Sequence, residues 1–159
     1  MKIAIGSDRR GFIDKEKLIK HLKDNGYEVI DEGPYDDHFP VDYPIYGEKV
    51  GREVSTGDAD FGAVICATGN GILMAANKVK GVRCGMGYSD EVTALMRQHN
   101  NANVICFGQD YMEYADVERR LDIFLNADFW GDYHNSRVQQ LADIENGKEI
   151  HQTPMKKKF

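Results

Sequence analysis

Cys66 stands just before a glycine-rich turn, Thr68-Gly69-Asn70-Gly71, and this pairing could carry proton-transfer chemistry. A helix that begins at such a turn offers free backbone N–H groups and a positive dipole end, which favour a thiolate or a developing oxyanion. The spacing is equally typical of a tight turn chosen for its shape beside a buried core cysteine. Cys84 and Cys106 lie inside predicted strands, and we expect both to be core residues.

Two more polar groups could take part in this chemistry. Asp8 follows the first predicted strand, where its carboxylate could bind substrate hydroxyls or open a ring, although capping the next helix is the simpler role. His99 closes a predicted helix and could merely hydrogen-bond the last carbonyl groups. Because His99 and Asn100 precede their strand, they fall at its amino edge, away from the other candidates. They would reach the same site only from a second subunit or along an unusual helix path.

The candidate motifs indicate neither a dinucleotide nor a metal ion. Met74 stands where a dinucleotide-binding turn requires a third small residue, and the fourth predicted strand ends in Met86 without an acidic residue for the ribose. Asp36, Asp37 and His38 are metal-binding residue types, but three adjacent loop residues cannot readily face one ion. We therefore expect no cofactor and no metal.

These candidates are positioned by a regular alternation of strands and helices. Apolar runs predict strands at residues 2–6, 27–31, 61–66, 82–86 and 104–108. Helical spacing predicts helices that begin near residue 12 and at residues 45–54, 72–79, 89–98, 113–127 and 134–146. The alternation predicts a three-layer α/β/α sandwich around a Rossmann-like, five-stranded parallel sheet, with the run 61–66 at its centre and ligands at the carboxyl ends of its strands. Arg97, Arg119 and Arg120 lie on predicted helices and are expected to be exposed.

The composition restricts the class of protein. The length of 159 residues and the 42% hydrophobic content indicate one domain, placed at residues 1–150, followed by a frayed tail at 151–159. A net charge of −6 argues against a nucleic-acid partner, because such proteins generally present a basic face to phosphates. We therefore expect a small-molecule partner. Three cysteines, an odd number, and a start without a secretory apolar segment favour a cytoplasmic setting. No apolar run is long enough to cross a membrane, so we also expect a soluble protein.

Five segments occur in a specific order: Gly6-Ser7-Asp8, Asp42-Tyr43-Pro44, Ile65-Cys66-Ala67-Thr68-Gly69-Asn70-Gly71-Ile72, Ala75-Ala76-Asn77-Lys78 and Arg97-Gln98-His99-Asn100-Asn101-Ala102-Asn103. Together they resemble the ribose-5-phosphate isomerase B and galactose-6-phosphate isomerase family, and the resemblance extends to His134 and Arg137. It implies a Rossmann-like fold and a homodimer or tetramer whose C-terminal helix packs on a partner subunit. It also implies cofactor-free interconversion of aldose and ketose sugar phosphates, as in the pentose phosphate pathway. His99 and Asn100 would come from the neighbouring subunit, which makes the dimer obligatory for activity.

The resemblance further implies a role for each site residue. Cys66 would move a proton between C1 and C2 of the open sugar, since Ile72 occupies the position of the glutamate base found in some members. Thr68 and the amides of the turn would hold the enediolate oxygens, and Asp8 and His99 would open the sugar ring. The residues expected to bind the substrate are Arg9, Tyr43, Gly69, Asn70, Gly71, Asn100, His134 and Arg137.

Three positions depart from the family pattern. Arg9 replaces a usual histidine, and Asp110 and Tyr133 replace arginines that commonly hold the substrate phosphate. An aspartate repels a phosphate dianion, whereas Arg9 or Arg10 could supply a bidentate contact. We therefore expect a ribose 5-phosphate type of substrate or, as an alternative, another sugar such as allose, galactose or a tetrulose, phosphorylated or not.

A third interpretation is a catalytically silent sugar-binding subunit that has kept the fold. Cys66, Thr68 and His99 weigh against it, because a binding module has no need of a base. Sugar binding without turnover, with activity recovered only beside a related chain, would support it.

Overall fold

The computed structural model describes residues 1–154, in which strands and helices alternate as predicted. None of the helices in this part of the chain is long and apolar enough to cross a membrane. The strands are β1 (Lys2–Ser7), β2 (Glu28–Asp31), β3 (Phe61–Cys66), β4 (Cys84–Met86) and β5 (Val104–Gly108). The helices are α1 (Phe12–Asp24), α2 (Tyr43–Thr56), α3 (Asn70–Asn77), α4 (Asp90–Gln98), α5 (Tyr114–Asn126) and α6 (His134–Glu145).

The strands form one parallel sheet in the order β2-β1-β3-β5-β4. β3 is central, as predicted, and its residues after Phe61 are buried. One face of the sheet packs on α1, α4 and α5 through a core that includes Met96 and Phe124. The other face packs on α2 and α3 through a core that includes Val50 and Ile72. The predicted three-layer α/β/α sandwich is therefore confirmed.

Among the boundaries that differ from the prediction, two have clear local reasons. α2 begins at Tyr43 rather than at residue 45, because Pro44 fits the first turn of a helix, where its missing N–H is not needed. β4 begins at Cys84 rather than at residue 82, because the Val82 N–H donates to the Val79 carbonyl at 3.1 Å in a turn. The edge strand is therefore short, and the helix before β3 is longer than its apolar pattern indicates.

Arg97 is buried, so the prediction of an exposed charge at this position is wrong. Its guanidinium lies over the Phe61 ring, 4.6 Å from the ring centroid, and its Nη1 donates to the Ala102 carbonyl at 2.6 Å. Burial lowers the pKa of Arg97, and the cation–π contact and the hydrogen bond offset part of this desolvation cost. Arg120 is also partly buried, whereas Arg119 is exposed as predicted.

The segment that follows α6 contacts that helix. Residues 151–154 have no regular structure, and Gln140 Nε2 donates to the His151 carbonyl at 2.6 Å. The remainder of the predicted frayed tail, residues 155–159, lies outside the described residues.

Candidate active site

Three loops meet at the carboxyl edge of the sheet, beside the end of β3. The backbone N–H of Asp8, after β1, donates to the Ile65 carbonyl at 3.0 Å. The backbone N–H of Gln109, after β5, donates to the Cys66 carbonyl, also at 3.0 Å. Such backbone hydrogen bonds hold the loops in place whatever their side chains do. The structure thus brings Asp8 and Cys66 to the same edge.

Cys66 is the last residue of β3, and its sulfur contacts the turn that follows. The residue is 4% exposed, and the Gly69 N–H donates to its Sγ at 3.1 Å. Because Gly69 directly precedes α3, the sulfur lies at a helix N-terminus, where the dipole and the N–H both favour negative charge. Thr68 is exposed, and its Oγ1 accepts the Asn70 N–H at 3.3 Å. This geometry suits a thiolate base beside an exposed hydroxyl.

The two glycines of the turn allow close approach by neighbouring side chains. Gly69 has a φ of +83°, and a Cβ at this position would lie 2.6 Å from Met86 Cε. A Cβ on Gly71 would lie 2.7 Å from Cζ of Tyr43. The Tyr43 ring therefore packs directly against the turn, which places this predicted pocket residue at the same edge as Cys66.

Asp8 closes the turn before α1 and does not cap the helix itself, whose N-cap is Gly11 without a side-chain hydrogen bond. Its Oδ1 accepts the Gly11 N–H at 2.9 Å in the turn that leads into α1. A carboxylate has about four lone-pair sites, so one N–H contact leaves acceptors for a ligand. The hydrogen bond within the turn and a ligand-binding role of Asp8 are therefore compatible.

The two arginines after Asp8 are engaged within the chain. Arg9 Nε donates to the Asp37 carbonyl at 2.9 Å, and Arg10 Nη2 forms an ion pair with Asp110 Oδ1 at 2.7 Å. The hydrogen bond and the charge of Asp110 raise the pKa of Arg10, and the charge of Asp8 acts in the same direction. Asp110 is thus paired with Arg10, one of the two arginines that could replace the phosphate-binding arginines absent from this chain.

His99 lies at the opposite, amino edge of the sheet. Val104, which begins β5, pairs with Gly62, four residues before Cys66. At about 3.3 Å per residue, this offset is about 13 Å along the strand. The His99 ring instead stacks on the His134 ring, with centroids 4.3 Å apart. Within one chain, His99 meets His134 and not Cys66.

An aromatic cluster surrounds His99, and we call His99, Trp130, Tyr133 and His134 the amino-edge cluster. Trp130 packs edge-on against His99 with centroids 4.9 Å apart, and the Arg137 guanidinium lies 4.7 Å from the Tyr133 centroid. His134 is 6% exposed, and its Nε2 has no hydrogen-bond partner among residues 1–154. Burial lowers the pKa of His134, and His99 and Arg137 lower it further. A buried nitrogen without a partner requires an explanation, such as a group from outside the chain.

The predicted site residues therefore divide into two groups within one chain. The carboxyl-edge group contains Asp8, Arg9, Tyr43, Cys66, Thr68, Gly69, Asn70 and Gly71, and the amino-edge group contains His99, Asn100, His134 and Arg137.

Two neighbours of these groups carry no sequence signal for a functional role. Trp130, the single tryptophan of the chain, contacts His99. Cys106 contacts Gly69, with its Sγ 3.0 Å from the carbonyl oxygen. A loop tryptophan and a cysteine inside an apolar strand are typical of packing alone, so residue type and spacing could not single them out.

Within residues 1–154, no group of three or more His, Cys, Asp or Glu side chains is placed to hold a metal ion. Asp36, Asp37 and His38, the one cluster of metal-binding types noted in the sequence, are exposed. Asp36 Oδ1 accepts the His38 N–H at 3.0 Å, so this carboxylate stabilises its own loop.

The sequence matches known proteins over most of its length. The Ribose/Galactose Isomerase family profile matches residues 3–141. Ribose-5-phosphate isomerase B from Escherichia coli (strain K12) is 40% identical over 147 residues, which cover 91% of this chain and 96% of that protein. Galactose-6-phosphate isomerase subunit LacB from Clostridium acetobutylicum is 36% identical over 150 residues, which cover 93% of this chain and 86% of that protein.

Solved structures share the fold at similar identity. Ribose-5-phosphate isomerase B from Clostridium thermocellum has a TM-score of 0.90 and 40% identity, over 92% of this chain and 99% of that one. The Mycoplasma genitalium ribose-5-phosphate isomerase B with bound ribulose-5-phosphate has a TM-score of 0.87 and 38% identity, over 91% of this chain and 96% of that one. The chain is therefore an aldose–ketose isomerase that belongs to the ribose/galactose isomerase family.

Proposed function

We propose that the chain interconverts ribose 5-phosphate and ribulose 5-phosphate through a cis-enediolate, with Cys66 as the base. The observation that carries this proposal is the contact of Cys66 Sγ with the Gly69 N–H at the start of α3. Such an isomerase must deprotonate a weak carbon acid and hold the resulting charge on oxygen, and this turn offers a base and N–H donors in one place. The relative solved with ribulose-5-phosphate bound supports the substrate class.

The reaction is a proton transfer within the open-chain sugar. The Cys66 thiolate removes the proton from C2 of the aldose, the C2–H electron pair forms the C1–C2 double bond, and the aldehyde oxygen takes the negative charge. The thiol returns the proton to C1, and the proton of the C2 hydroxyl moves to O1, which gives the ketose. Thr68 Oγ1 and first-turn amides of α3, which the helix does not use in its own hydrogen bonds, stabilise the oxygens of the intermediate.

Asp8 and Tyr43 border the same turn and complete this half of the site. We assign Asp8 to the opening of the sugar ring, because its carboxylate lies at the carboxyl edge and keeps free acceptor sites. We assign Tyr43 to the pocket wall, because its ring packs against Gly71.

We further propose that the amino-edge group of one subunit completes the carboxyl-edge site of another. Of the residues in α6, His134 alone is buried in the described chain, and Leu141 and Ile144 are 44% and 55% exposed. A helix that buries so little apolar surface on its own chain is suited to an interface. His99 would then take part in ring opening, and Arg137 would contact the phosphate. In a twofold-symmetric dimer, both sites would be identical.

A second candidate function is isomerisation of another sugar, phosphorylated or not. The ion pair between Arg10 and Asp110 favours it, because Asp110 both neutralises a cation and adds a negative charge near the carboxyl edge. Repulsion between Asp110 and a phosphate dianion would weaken the binding of a phosphorylated substrate.

The test of both candidates is proton exchange at C2, followed by NMR in deuterated water. Ribose 5-phosphate, allose 6-phosphate and the unphosphorylated sugars are offered to the wild type, to Cys66→Ala and to the control Cys84→Ala. We expect exchange with ribose 5-phosphate in the wild type and in the control, and a loss of about 10³-fold in Cys66→Ala.

The other outcomes of this experiment separate the proposals. Exchange with another sugar and not with ribose 5-phosphate would favour the second candidate. Exchange that persists in Cys66→Ala would contradict the assignment of the base. No exchange with any sugar would contradict both candidates and favour a silent binding subunit.

A further inference from the structure

Cys106 lies on the same face of the sheet as Cys66, on the neighbouring strand. In the pairing of β3 with β5, Cys66 is opposite Gly108 and Cys106 is opposite Val64. The two cysteines are therefore offset by two residues, and residues two apart along a strand share a face. Both belong to the buried core on the side of α2 and α3.

Gly69 connects the two cysteines through hydrogen bonds. Cys106 Sγ donates to the Gly69 carbonyl at 3.0 Å, and the Gly69 N–H donates to Cys66 Sγ at 3.1 Å. The same carbonyl accepts the Leu73 N–H of α3 at 3.1 Å. The Gly69 carbonyl is thus hydrogen-bonded to α3 and to β5. The hydrogen bond from β5 comes from the Cys106 thiol.

The Cys106 thiol is suited to the role of a permanent donor. A thiol must keep its proton in order to donate a hydrogen bond. Burial raises the pKa of Cys106 well above its usual range, and the neighbouring Cys84 and Cys66 raise it further. Cys66 differs from Cys106, because its Sγ accepts the Gly69 N–H at the start of α3.

We propose that Cys106 is a positioning residue for the isomerisation: its S–H holds the Gly69 carbonyl and so keeps the Gly69 N–H directed at Cys66 Sγ. This inference deepens the proposed function and rests on it for the role of Cys66. Core packing alone does not require a donor here, because Val64 and Val104 are apolar and the hydrogen-bonded neighbour Cys84 is itself a thiol. A purely apolar residue in place of Cys106 would lose the hydrogen bond to the Gly69 carbonyl.

The test compares two substitutions of similar size. Cys106→Ser keeps a donor, Cys106→Ala removes it, and Val104→Ala shortens an apolar side chain of the same core as a control. The first readout needs no substrate: the rate of Cys66 alkylation by iodoacetamide against pH, followed by mass spectrometry of the Cys66 peptide. The second readout is the separate measurement of kcat and KM.

We expect Cys106→Ala to move the alkylation profile to higher pH, because a less well directed N–H stabilises the thiolate less. In the same variant we expect kcat to fall about tenfold, the effect of about one hydrogen bond, with KM within about twofold. Cys106→Ser and Val104→Ala should stay within about threefold of the wild type.

An alkylation profile and a kcat of Cys106→Ala equal to those of the wild type would overturn the proposal. Equal losses in Cys106→Ser and Cys106→Ala with an unshifted alkylation profile would also overturn it, since they would indicate packing. If Cys106→Ala does not fold, Cys106→Val supplies the comparison by filling the core without a donor. Failure of the proposed function is distinguishable, because turnover by Cys66→Ala would contradict the base and leave the alkylation comparison unchanged.

Discussion

At the carboxyl edge, Cys66, Gly69 and Cys106 are joined by hydrogen bonds between β3, α3 and β5. At the amino edge, His99 and His134 are held by ring stacking, and His134 Nε2 has no partner among the described residues. The first region sits between central strands, whereas the second sits beside α6, a helix with little buried surface. A single chain thus completes the hydrogen bonds around Cys66 and leaves the histidine cluster open.

The largest expected effect tests whether the two regions form one site across subunits. Cys66→Ala should lose about 10³-fold and His99→Ala about 10²-fold or more of the activity, because each removes a group to which we assign a proton transfer. When the two inactive variants are mixed and allowed to exchange subunits, each mixed dimer contains one intact site. With random pairing, we expect about a quarter of the wild-type activity, measured as turnover after mixing.

No recovery in this mixture, with subunit exchange shown by native mass spectrometry, would contradict a shared site. The control is a mixture of Cys66→Ala with itself after the same treatment, which should remain inactive.

The next effect concerns the stability of the carboxyl-edge turn. Gly69→Ala should lower the free energy of unfolding by about 2 kcal/mol, because it adds strain at a left-handed position to crowding by the Phe107 carbonyl oxygen, 3.1 Å from the new Cβ, while the flexible end of Met86 can move aside. Gly57 has a similar φ of +85° with nothing within 4 Å of a Cβ, so Gly57→Ala should cost only about 1 kcal/mol. Urea unfolding of both variants measures the difference. If both variants lowered the free energy of unfolding equally, the packing against Gly69 would contribute nothing to the difference.

A smaller effect is expected from the ion pair between Arg10 and Asp110. Asp110→Asn should free Arg10 and remove a repulsive charge, so the KM for a sugar phosphate should fall about threefold to tenfold. The effect should shrink at high salt, because the pair is largely exposed. Asp37→Asn is the control, since Arg9 uses the carbonyl and not the carboxylate of this residue. An unchanged KM in Asp110→Asn would show that the pair lies outside the phosphate site.

The smallest effect concerns the pH dependence of the amino-edge cluster. Because the pKa of His134 is lowered in the folded chain, the unfolded chain binds a proton there first as the pH falls. Stability should therefore fall as the pH drops below about 6.5 and should gain nothing from this group above that value. Urea unfolding of His134→Asn should show a flatter dependence than the wild type, with the exposed His38→Asn as control. A slope in His134→Asn equal to that of the wild type would contradict this assignment.

The fold and half of the site followed from local patterns. The alternation of apolar runs predicts the parallel three-layer architecture, and the position of Cys66 before its glycine turn predicts a sulfur at a helix start; the structure has both. The burial of Arg97 could not be predicted in this way. The position of Arg97 on α4 is typical of an exposed charge. Its guanidinium is covered only because Phe61 and Phe124 of other elements pack against it.

By itself, the sequence determined which residues lie at each edge of the sheet. In a parallel sheet, a residue that precedes a strand lies at the amino edge and a residue that ends one lies at the carboxyl edge. His99 precedes β5 and must lie at the amino edge, and Cys66 ends β3 and must lie at the carboxyl edge. Only the tertiary structure decided which side chains meet. Arg10 and Asp110 are 100 residues apart in sequence, and Cys106 reaches Gly69 only because β5 lies beside β3. The physical reason is that hydrogen bonds and ion pairs act over a few ångströms, so contacts between distant segments depend on how the strands and helices pack.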